Sequence, residues 1–236
     1  MQAGLQVVAC GAINWDITVF VPRLPTPGEE VVADRIARVP GGTAANVAVA
    51  AARLLGHGHV GFLGAVGADE IGRQQRAILE QEGVHTGGLL TIEGAESGQA
   101  YVLVDLAGRN VIASLLGANL ALRPDHFSAP QAQEALTARV YAVTDPPLAM
   151  VDALLEVANK TRAQVMWGPG VQAAHPRAAV KDLARRVNVL LLNETEAGQL
   201  TGEEAPKAVS RKLLAAGWRN QCQRRLRFDP PAPVWN

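Results

Sequence analysis

The sequence predicts an α/β fold in which a parallel sheet carries helices on both faces. Two observations support this prediction. First, short apolar runs of strand length alternate with longer segments that have the apolar spacing of amphipathic helices. Second, three of the helical segments end at a glycine, Gly56, Gly83 and Gly217, and glycine is the residue that most often terminates a helix. Such alternation is typical of parallel sheets that are buried on both faces.

Five strands and five helices follow from this pattern. The predicted strands lie at residues 5–11, 59–66, 140–144, 164–167 and 187–192. The predicted helices lie at residues 44–55, 70–82, 148–161, 178–186 and about 205–216. The strands are short runs dominated by aliphatic residues, whereas the helices are longer and repeat their apolar residues every three or four positions. Length and spacing together separate the two kinds of element.

Two segments interrupt the alternation with patterns typical of antiparallel strands. The first, residues 17–39, contains two β-rich runs that are separated by three prolines. The second, residues 97–116, contains two runs on either side of Ala107-Gly108-Arg109, which is a hairpin-turn pattern. We therefore predict a small antiparallel β lid, built from these two segments, beside the parallel sheet.

The composition excludes several classes of partner. The 236 residues include 22 basic and 22 acidic side chains, so the formal net charge is 22 − 22 = 0. A neutral chain lacks the basic surface that attracts nucleic acids and anionic membranes, and no apolar run here approaches the ~20 residues of a membrane span. Cys10 and Cys222 are too few for a disulfide framework. We expect a cytoplasmic protein that binds neither nucleic acid nor membrane.

Two glycine-led helix starts are the strongest functional signal. They are G-G-T-A-A-N at residues 41–46 and G-A-D-E-I-G at residues 67–72. Glycine before a helix lets the backbone approach a ligand closely, and the N–H groups of the first helical turn then point at that ligand. A tight turn that binds no ligand explains the same residues. The second run lacks the Lys-Ser/Thr pair of a P-loop, so a classical P-loop NTPase is excluded.

Polar residues after the first strand are candidate ligand groups. Asn14 and Asp16 follow that strand closely, and α/β sheets bind ligands at the carboxyl ends of their strands. A carboxylate can accept hydrogen bonds from two neighbouring hydroxyls of a sugar. An Asx-turn that closes the strand explains these residues without a ligand.

Three polar residues follow later strands. Asn193 and Glu196 match a capping box, and the same pair would suit a phosphate contact and an Mg²⁺ ion held through water. Asp145 precedes two prolines, which fits a cap at the start of the next helix. Both a structural and a functional interpretation stay open for these residues.

Taken in chain order, these pieces resemble the ribokinase (pfkB) family of carbohydrate kinases. The stretches that carry the resemblance are G-A-I-N-W-D at 11–16, P-T-P-G-E at 25–29, G-G-T-A-A-N-V-A at 41–48, G-A-D at 67–69 with Gly72, G-A-N at 117–119 and N-E-T-E-A at 193–197. Each stretch alone is a modest signal. Their order and spacing, from residue 7 to about residue 219, are specific to this family.

The resemblance implies a ribokinase-like three-layer α/β/α sandwich whose β lid closes over a sugar. It implies phosphorylation of a sugar hydroxyl with ATP and Mg²⁺, and it leaves room for a homodimer through the lid. The residues implied to bind the sugar are Asn14, Asp16, Gly41, Gly42, Asn46 and Asp145. Asn193 is implied to contact the nucleotide, and Glu196 to organise the Mg²⁺ ion.

Two departures from the family pattern bear on activity. Ribokinase itself usually has Lys where this chain has Thr43, which widens the choice of substrate to other sugars, sugar acids or nucleosides. The family's second signature, D-x-x-G-A-G-D, supplies the general base and an anion hole, and this sequence does not contain it. Phosphoryl transfer depends on positioning and charge neutralisation. We therefore expect the chain as written to be inactive, with the general base beyond its end.

The C-terminal segment departs from the pattern as well. Residues 1–219 match an incomplete kinase domain, and residues 220–236 form an atypical tail with R-R-L-R at 224–227 and three prolines, which do not suit a buried strand. The tail is either the solvated end of a complete domain or the result of truncation or a frame change near Asn220, and we favour the second. Two alternative functions stay open, a nucleoside kinase of the same fold and a non-catalytic sugar-binding short form.

Overall fold

The computed structural model describes residues 4–174, 177–215 and 221–223, which form two sheets and seven α-helices. The strands are β1 (Val7–Gly11), β2 (Asn14–Phe20), β3 (Arg35–Gly41), β4 (Val60–Gly67), β5 (Val84–His85), β6 (Leu89–Ile92), β7 (Gly98–Val104), β8 (Asn110–Leu115), β9 (Val140–Thr144), β10 (Gln164–Gly168), β11 (Val189–Leu192) and β12 (Gln221–Gln223). The helices are α1 (Thr43–Leu55), α2 (Glu70–Gln81), α3 (Pro130–Ala135), α4 (Leu148–Thr161), α5 (Arg177–Arg186), α6 (Glu194–Thr201) and α7 (Pro206–Ala215). Among these described helices, none is both long and apolar enough to cross a bilayer.

A parallel sheet of eight strands forms the core, as the sequence predicts. Its order is β12-β11-β10-β9-β1-β4-β5, and β6 pairs with β4 as well. β1 lies inside the sheet, where Val7 pairs with Val60 of β4 and with Val140 of β9. Because the strands are parallel, the carboxyl ends of β1, β9 and β11 meet at one edge of the sheet.

Helices cover both faces of the core sheet. Along β4, Phe62 and Val66 belong to one hydrophobic cluster, whereas Leu63 and Ala65 belong to the other. This is the two-residue period of a strand that is buried on both sides. α1 packs on the first face through a stripe of alanines, and α4 packs on the second face around Trp167. The predicted layering of helix, sheet and helix is therefore confirmed.

A separate four-stranded sheet forms the lid, in the order β3-β2-β7-β8. β7 and β8 form the predicted antiparallel hairpin, and the Asp105 carboxylate closes its turn by accepting hydrogen bonds from the N–H groups of Ala107 and Arg109 (3.0 and 2.9 Å). β2 and β7 pair in parallel, so the lid is mixed and our prediction of an antiparallel lid was wrong in this respect. Both strands leave the core at the same edge of the sheet, which makes them run side by side in one direction.

The sequence analysis missed β5, β6 and α3 among the described strands and α-helices that precede the tail. The two strands are two and four residues long, and the helix has six residues. Segments this short hold too few residues to display a period.

The last described residues extend the core sheet. Gln221–Gln223 form β12, and Leu190 of β11 pairs in parallel with Gln221. We had expected no strand in this tail. The three residues of β12 carry no charge, so their backbone can join the ladder. The arginines and prolines that argued against a strand follow β12 and lie outside the described residues.

The side chain of Asn119 holds the junction between the core sheet and the lid. β1 ends at Gly11 and β2 begins at Asn14, so the chain passes from one sheet to the other within two residues. Asn119 Oδ1 accepts a hydrogen bond from the Ile13 N–H, and its Nδ2 donates to the Ile13 carbonyl (both 3.0 Å). Its Nδ2 also lies 2.9 Å from the Leu116 carbonyl and 3.1 Å from Asn14 Oδ1. One buried amide therefore replaces the ladder partners that the crossing loses.

A second anchor ties α2 to the start of the lid. Asp69 caps α2 by accepting a hydrogen bond from the Gly72 N–H (2.7 Å), and it also accepts hydrogen bonds from the hydroxyl and the N–H of Ser97 (2.6 and 2.8 Å). Partial burial raises the pKa of the Asp69 carboxyl, but the bonds from Ser97 and Gly72 lower it further, so the net pKa is below its ordinary value. The second glycine-led helix start is therefore held by hydrogen bonds within the protein.

Replacing Asn119 with Ala should destabilise the fold by about 2–4 kcal/mol, because the N–H and carbonyl of Ile13 then lose their partners in a buried position. Urea denaturation gives this change in the free energy of unfolding. Asn110→Ala is the matched control, since Asn110 is exposed on β8 and its loss should change stability by about 0.5 kcal/mol or less. Equal losses in the two variants would contradict the role assigned to Asn119.

Candidate active site

The first turn of α1 is docked on the loop that follows β1. The N–H groups of Ala44 and Ala45 both donate to the carbonyl of Ala12 (3.1 and 3.3 Å), and the Ala12 N–H donates to the carbonyl of Thr144 at the end of β9 (3.1 Å). We had expected these helical N–H groups to point at a ligand. They bind the loop, so this helix start positions the site instead of forming an anion hole there.

Gly41 and Gly42 allow the protein to approach itself closely at this point. Gly42 precedes α1 with a φ of 94°, and a Cβ atom there would lie 2.6 Å from the Ala12 carbonyl oxygen. A Cβ atom at Gly41 would lie 2.6 Å from Asp16 Oδ1 and closer still to Oδ2. These separations are shorter than van der Waals contact, so Gly42 requires glycine and a side chain at Gly41 would displace the Asp16 carboxylate.

The Asp16 carboxylate is the acidic group at the base of the lid. Asp16 lies on β2, where it pairs with Val39 of β3, and its carboxylate rests against the Cα atom of Gly41. The residue is half-buried, and this burial raises the pKa of the Asp16 carboxyl above its ordinary value. A carboxylate in this position can accept hydrogen bonds from two adjacent hydroxyl groups.

Asn14 is fixed on both its side chain and its backbone. Its Oδ1 accepts a hydrogen bond from Asn119 Nδ2 (3.1 Å), which orients the amide, and its carbonyl accepts a hydrogen bond from Gln75 Nε2. Gln75 is 1% exposed and belongs to α2, so a buried helical residue supports the loop from behind. Asn14, Asp16, Gly41 and Gly42 therefore lie together at the base of the lid.

Asn46 borders this group and faces a neighbouring groove. It lies in the first turn of α1, its side chain is exposed, and it lines a cavity of about 300 Å³ between α1 and α2. Gly41 and Gln75 line the same cavity, and the ion pair between Arg53 and Glu82 borders it as well. Asn46 thus lies beside Gly41, one of the residues implied to bind the sugar, at the rim of this cavity.

Asp145 follows β9 and contacts α1. The Thr43 hydroxyl donates a hydrogen bond to Asp145 Oδ2 (2.8 Å). Asp145 has a φ of 53°, in the left-handed region, and a Cβ atom at Gly170 would overlap its carboxylate. α4 takes Pro147 as its N-cap and has no side-chain cap bond, so the alternative interpretation of Asp145 as a helix cap is wrong.

Asn193 and Glu196 form a capping box at the start of α6. Asn193 Oδ1 accepts a hydrogen bond from the Glu196 N–H (2.8 Å), and Glu196 accepts hydrogen bonds from the Asn193 N–H (3.2 Å) and Nδ2 (2.7 Å). Burial raises the pKa of the Glu196 carboxyl, the Asn193 N–H lowers it, and the charge of Asp145 raises it again, for a net increase. The negative charge of Asp145 therefore acts on Glu196, and both residues lie at the same edge of the sheet.

No metal centre made of protein ligands alone appears in the part of the chain that the structure describes. Within these residues, no three His, Cys, Asp or Glu side chains lie close enough together to hold an ion. A cation at this edge would need oxygen ligands from water or from a bound phosphate as well.

Sequence reasoning missed two contacts that organise the site. Asn119 belongs to a stretch that carries the family resemblance, but its partner Ile13 is 106 residues away in the chain. The bond from Thr43 to Asp145 spans 102 residues. Both contacts depend on how distant loops meet, so no local pattern could have predicted them.

A comparison with protein families gives one match over almost the whole chain. The model described as "pfkB family carbohydrate kinase" matches residues 5–220. This match includes every candidate residue named above. The resemblance that the sequence motifs indicated is therefore confirmed.

Two curated relatives are close in sequence. The chain is 31% identical over 194 residues to the ribokinase of Haemophilus influenzae, and this match covers 82% of the chain and 61% of the relative. It is 30% identical over 203 residues to an ATP-dependent ribose-1-phosphate kinase of Halopiger xanaduensis, covering 85% of the chain and 65% of the relative. The chain thus spans less than two thirds of the length of either relative.

Solved structures show the same fold. The ribokinase of Arabidopsis thaliana, in complex with ribose and ATP, matches with a TM-score of 0.77 and 25% identity, over 93% of this chain and 70% of that one. The ribokinase of Giardia lamblia matches with a TM-score of 0.81 and 22% identity, over 90% of this chain and 66% of that one. Fold, motifs and family match agree, and the chain belongs to the pfkB family of carbohydrate kinases.

Proposed function

We propose that this chain carries the sugar-binding part of a kinase that transfers a phosphoryl group from ATP to a sugar hydroxyl. The observation that carries the proposal is the half-buried Asp16 carboxylate, held against Gly41 and next to the oriented amide of Asn14. Carboxylate oxygens accept hydrogen bonds and an amide both donates and accepts, so the pair suits a ligand with several hydroxyls. Gly42, Asn46 and Asp145 complete the proposed sugar site. ATP as the phosphoryl donor fits a cytoplasmic enzyme, which is the location that we propose.

The substrate is a small sugar with adjacent free hydroxyls, and ribose is the first candidate because the relatives include ribokinases. Thr43 stands where ribokinases usually carry lysine, which keeps a nucleoside as the second candidate. Calorimetry with ribose, fructose, ribose 1-phosphate and adenosine separates the two. Binding of adenosine alone would support the nucleoside, and binding of none of the four would contradict the proposal.

The residues at the start of α6 fit the nucleotide end of the reaction. Glu196 is a half-buried oxygen donor that Asn193 orients, and the nearby charge of Asp145 adds to the negative potential around it. Such a place suits Mg²⁺, which prefers oxygen ligands and retains several waters. We assign Glu196 to hold Mg²⁺ through water and Asn193 to contact the phosphates of ATP. The bound ion would neutralise charge on the phosphates.

Turnover needs a general base, and the 236 residues do not contain the D-x-x-G-A-G-D motif that supplies it in the family. A polypeptide of these residues alone should therefore bind sugar without releasing ADP, since the attacking hydroxyl keeps its proton. A coupled assay for ADP release, with each substrate of the calorimetric panel, checks this expectation. Release above the rate without sugar would show that another group performs this role.

The lid also suits a homodimer. Four large apolar side chains on one face of its strands are more than two fifths exposed, namely Ile36, Tyr101, Val111 and Leu115. Exposed apolar surface of this kind marks interaction sites. Sedimentation velocity should find a dimer for the wild type and a monomer for Val111→Lys. Val32→Lys is the control, because Val32 is 80% exposed and lies outside the lid strands. A monomeric wild type would rule this proposal out.

Adding a methyl group at Gly41 should weaken sugar binding by at least about tenfold, because the new Cβ displaces the carboxylate that accepts the sugar hydroxyls. Calorimetry on Gly41→Ala measures the effect. Gly168→Ala is the matched control, since a Cβ atom there meets Thr144 at an ordinary 3.5 Å and should leave binding unchanged. Circular dichroism confirms that both variants are folded. Unchanged affinity in Gly41→Ala would argue against Asp16 as the sugar ligand.

A further inference from the structure

The hydrogen bond between Thr43 and Asp145 joins two elements that are distant in the chain. Thr43 is the first residue of α1, and Asp145 directly follows β9. The donor and acceptor are 2.8 Å apart, which is a normal length for a hydroxyl that donates to a carboxylate. Thr43 does not cap α1, because Gly42 occupies the N-cap position. The hydroxyl of Thr43 is therefore engaged by Asp145 and not by its own helix.

Asp145 is held in a conformation that few residues adopt. Its φ of 53° lies in the left-handed region, which residues other than glycine seldom adopt, and such residues cluster at functional sites. This backbone turn brings Oδ1 against the Cα atom of Gly170, where a Cβ would overlap it. Oδ2 faces Thr43. The two oxygens of the carboxylate thus face these two neighbours.

The charge of Asp145 lies between the two ends of the proposed reaction. On one side, Thr43 links it to α1, whose first turn follows Gly41 and Gly42. On the other side, its charge acts on Glu196 at the start of α6. The orientation of this one carboxylate therefore matters to the sugar end and to the phosphate end alike.

We propose that Thr43 is a positioning residue that sets the orientation of the Asp145 carboxylate for a sugar hydroxyl. The inference rests on the proposed function, because it takes Asp145 as a sugar contact. Thr43 itself need not touch the sugar. Its effect on binding passes through Asp145, so the two residues should act as one unit.

A double-mutant cycle tests this coupling by calorimetry with D-ribose. Thr43→Val keeps the shape but removes the donor, and it should weaken binding about five- to tenfold. Thr43→Ser keeps the donor and should bind within about twofold of the wild type. In the background of Asp145→Asn, Thr43→Val should cause no further loss, because the residue through which it acts is already changed. Equal losses in both backgrounds would overturn the inference.

A second measurement tests the positioning without any sugar. Heteronuclear NMR couplings report the χ1 rotamer of Asp145, which should be single in the wild type and Thr43→Ser and averaged in Thr43→Val. If the rotamer stays single in Thr43→Val, Thr43 does not position Asp145 and the inference fails. A different outcome separates the two proposals. If the Asp145 rotamer is averaged in Thr43→Val but the wild type binds no sugar, the proposed function is refuted while the positioning role stands.

Thr137→Val is the matched control for both measurements. Its hydroxyl also donates a hydrogen bond, to the Glu134 carbonyl (2.7 Å), but it follows α3 before the amino end of β9 and lies away from the candidate site. Ribose affinity and the Asp145 rotamer should both be unchanged in this variant. A change in either would show that loss of any surface hydroxyl is enough to cause the effect, which would overturn the inference.

Discussion

The arrangement of the candidate site depends on the hydrogen bonds that Asn119 makes to Ile13. Where the chain leaves the core sheet for the lid, the backbone of Ile13 has no strand beside it, and buried N–H and carbonyl groups must be paired. Asn119 supplies one acceptor and one donor to that residue. The positions of Asn14 and Asp16 follow from this crossing, because β2 starts directly after it. A single amide thus sets where the lid begins and where its acidic group lies.

The glycines at this edge have a different role from the one that the motif suggests. We interpreted the helix start at residues 41–46 as a surface for close approach of a ligand. In the structure Gly42 admits the carbonyl of Ala12, and Gly41 admits the carboxylate of Asp16. Both contacts lie within the protein, and they hold the Asp16 carboxylate in a fixed place. The absent side chains matter to a ligand indirectly, through the acid that they allow to lie there.

The core could be predicted from sequence, whereas the details of the site could not. Apolar runs such as Val60–Gly67 carry enough residues to show a buried strand, and the alternation with helices then requires a parallel sheet. The parallel pairing of β2 with β7 depends on two segments about 80 residues apart, which no local pattern reports. Asn193 and Glu196 were correctly predicted as a capping box because both partners lie within one helical turn. The bond between Thr43 and Asp145 joins the first residue of α1 to the residue after β9, and no local pattern at either place predicts it.

The electrostatics of the site bear on the ligands that we propose for its two ends. Burial raises the pKa of Asp16 and is the first cause of the raised pKa of Glu196, which means that each carboxylate loses hydration in the fold. At Asp16 a pair of neutral hydroxyl donors would replace that water without changing the charge. At Glu196 the field of Asp145 adds a second negative charge, so a divalent cation gains more there than a neutral donor does. Asp145 therefore lies between the site that we propose for sugar hydroxyls and the site that we propose for Mg²⁺.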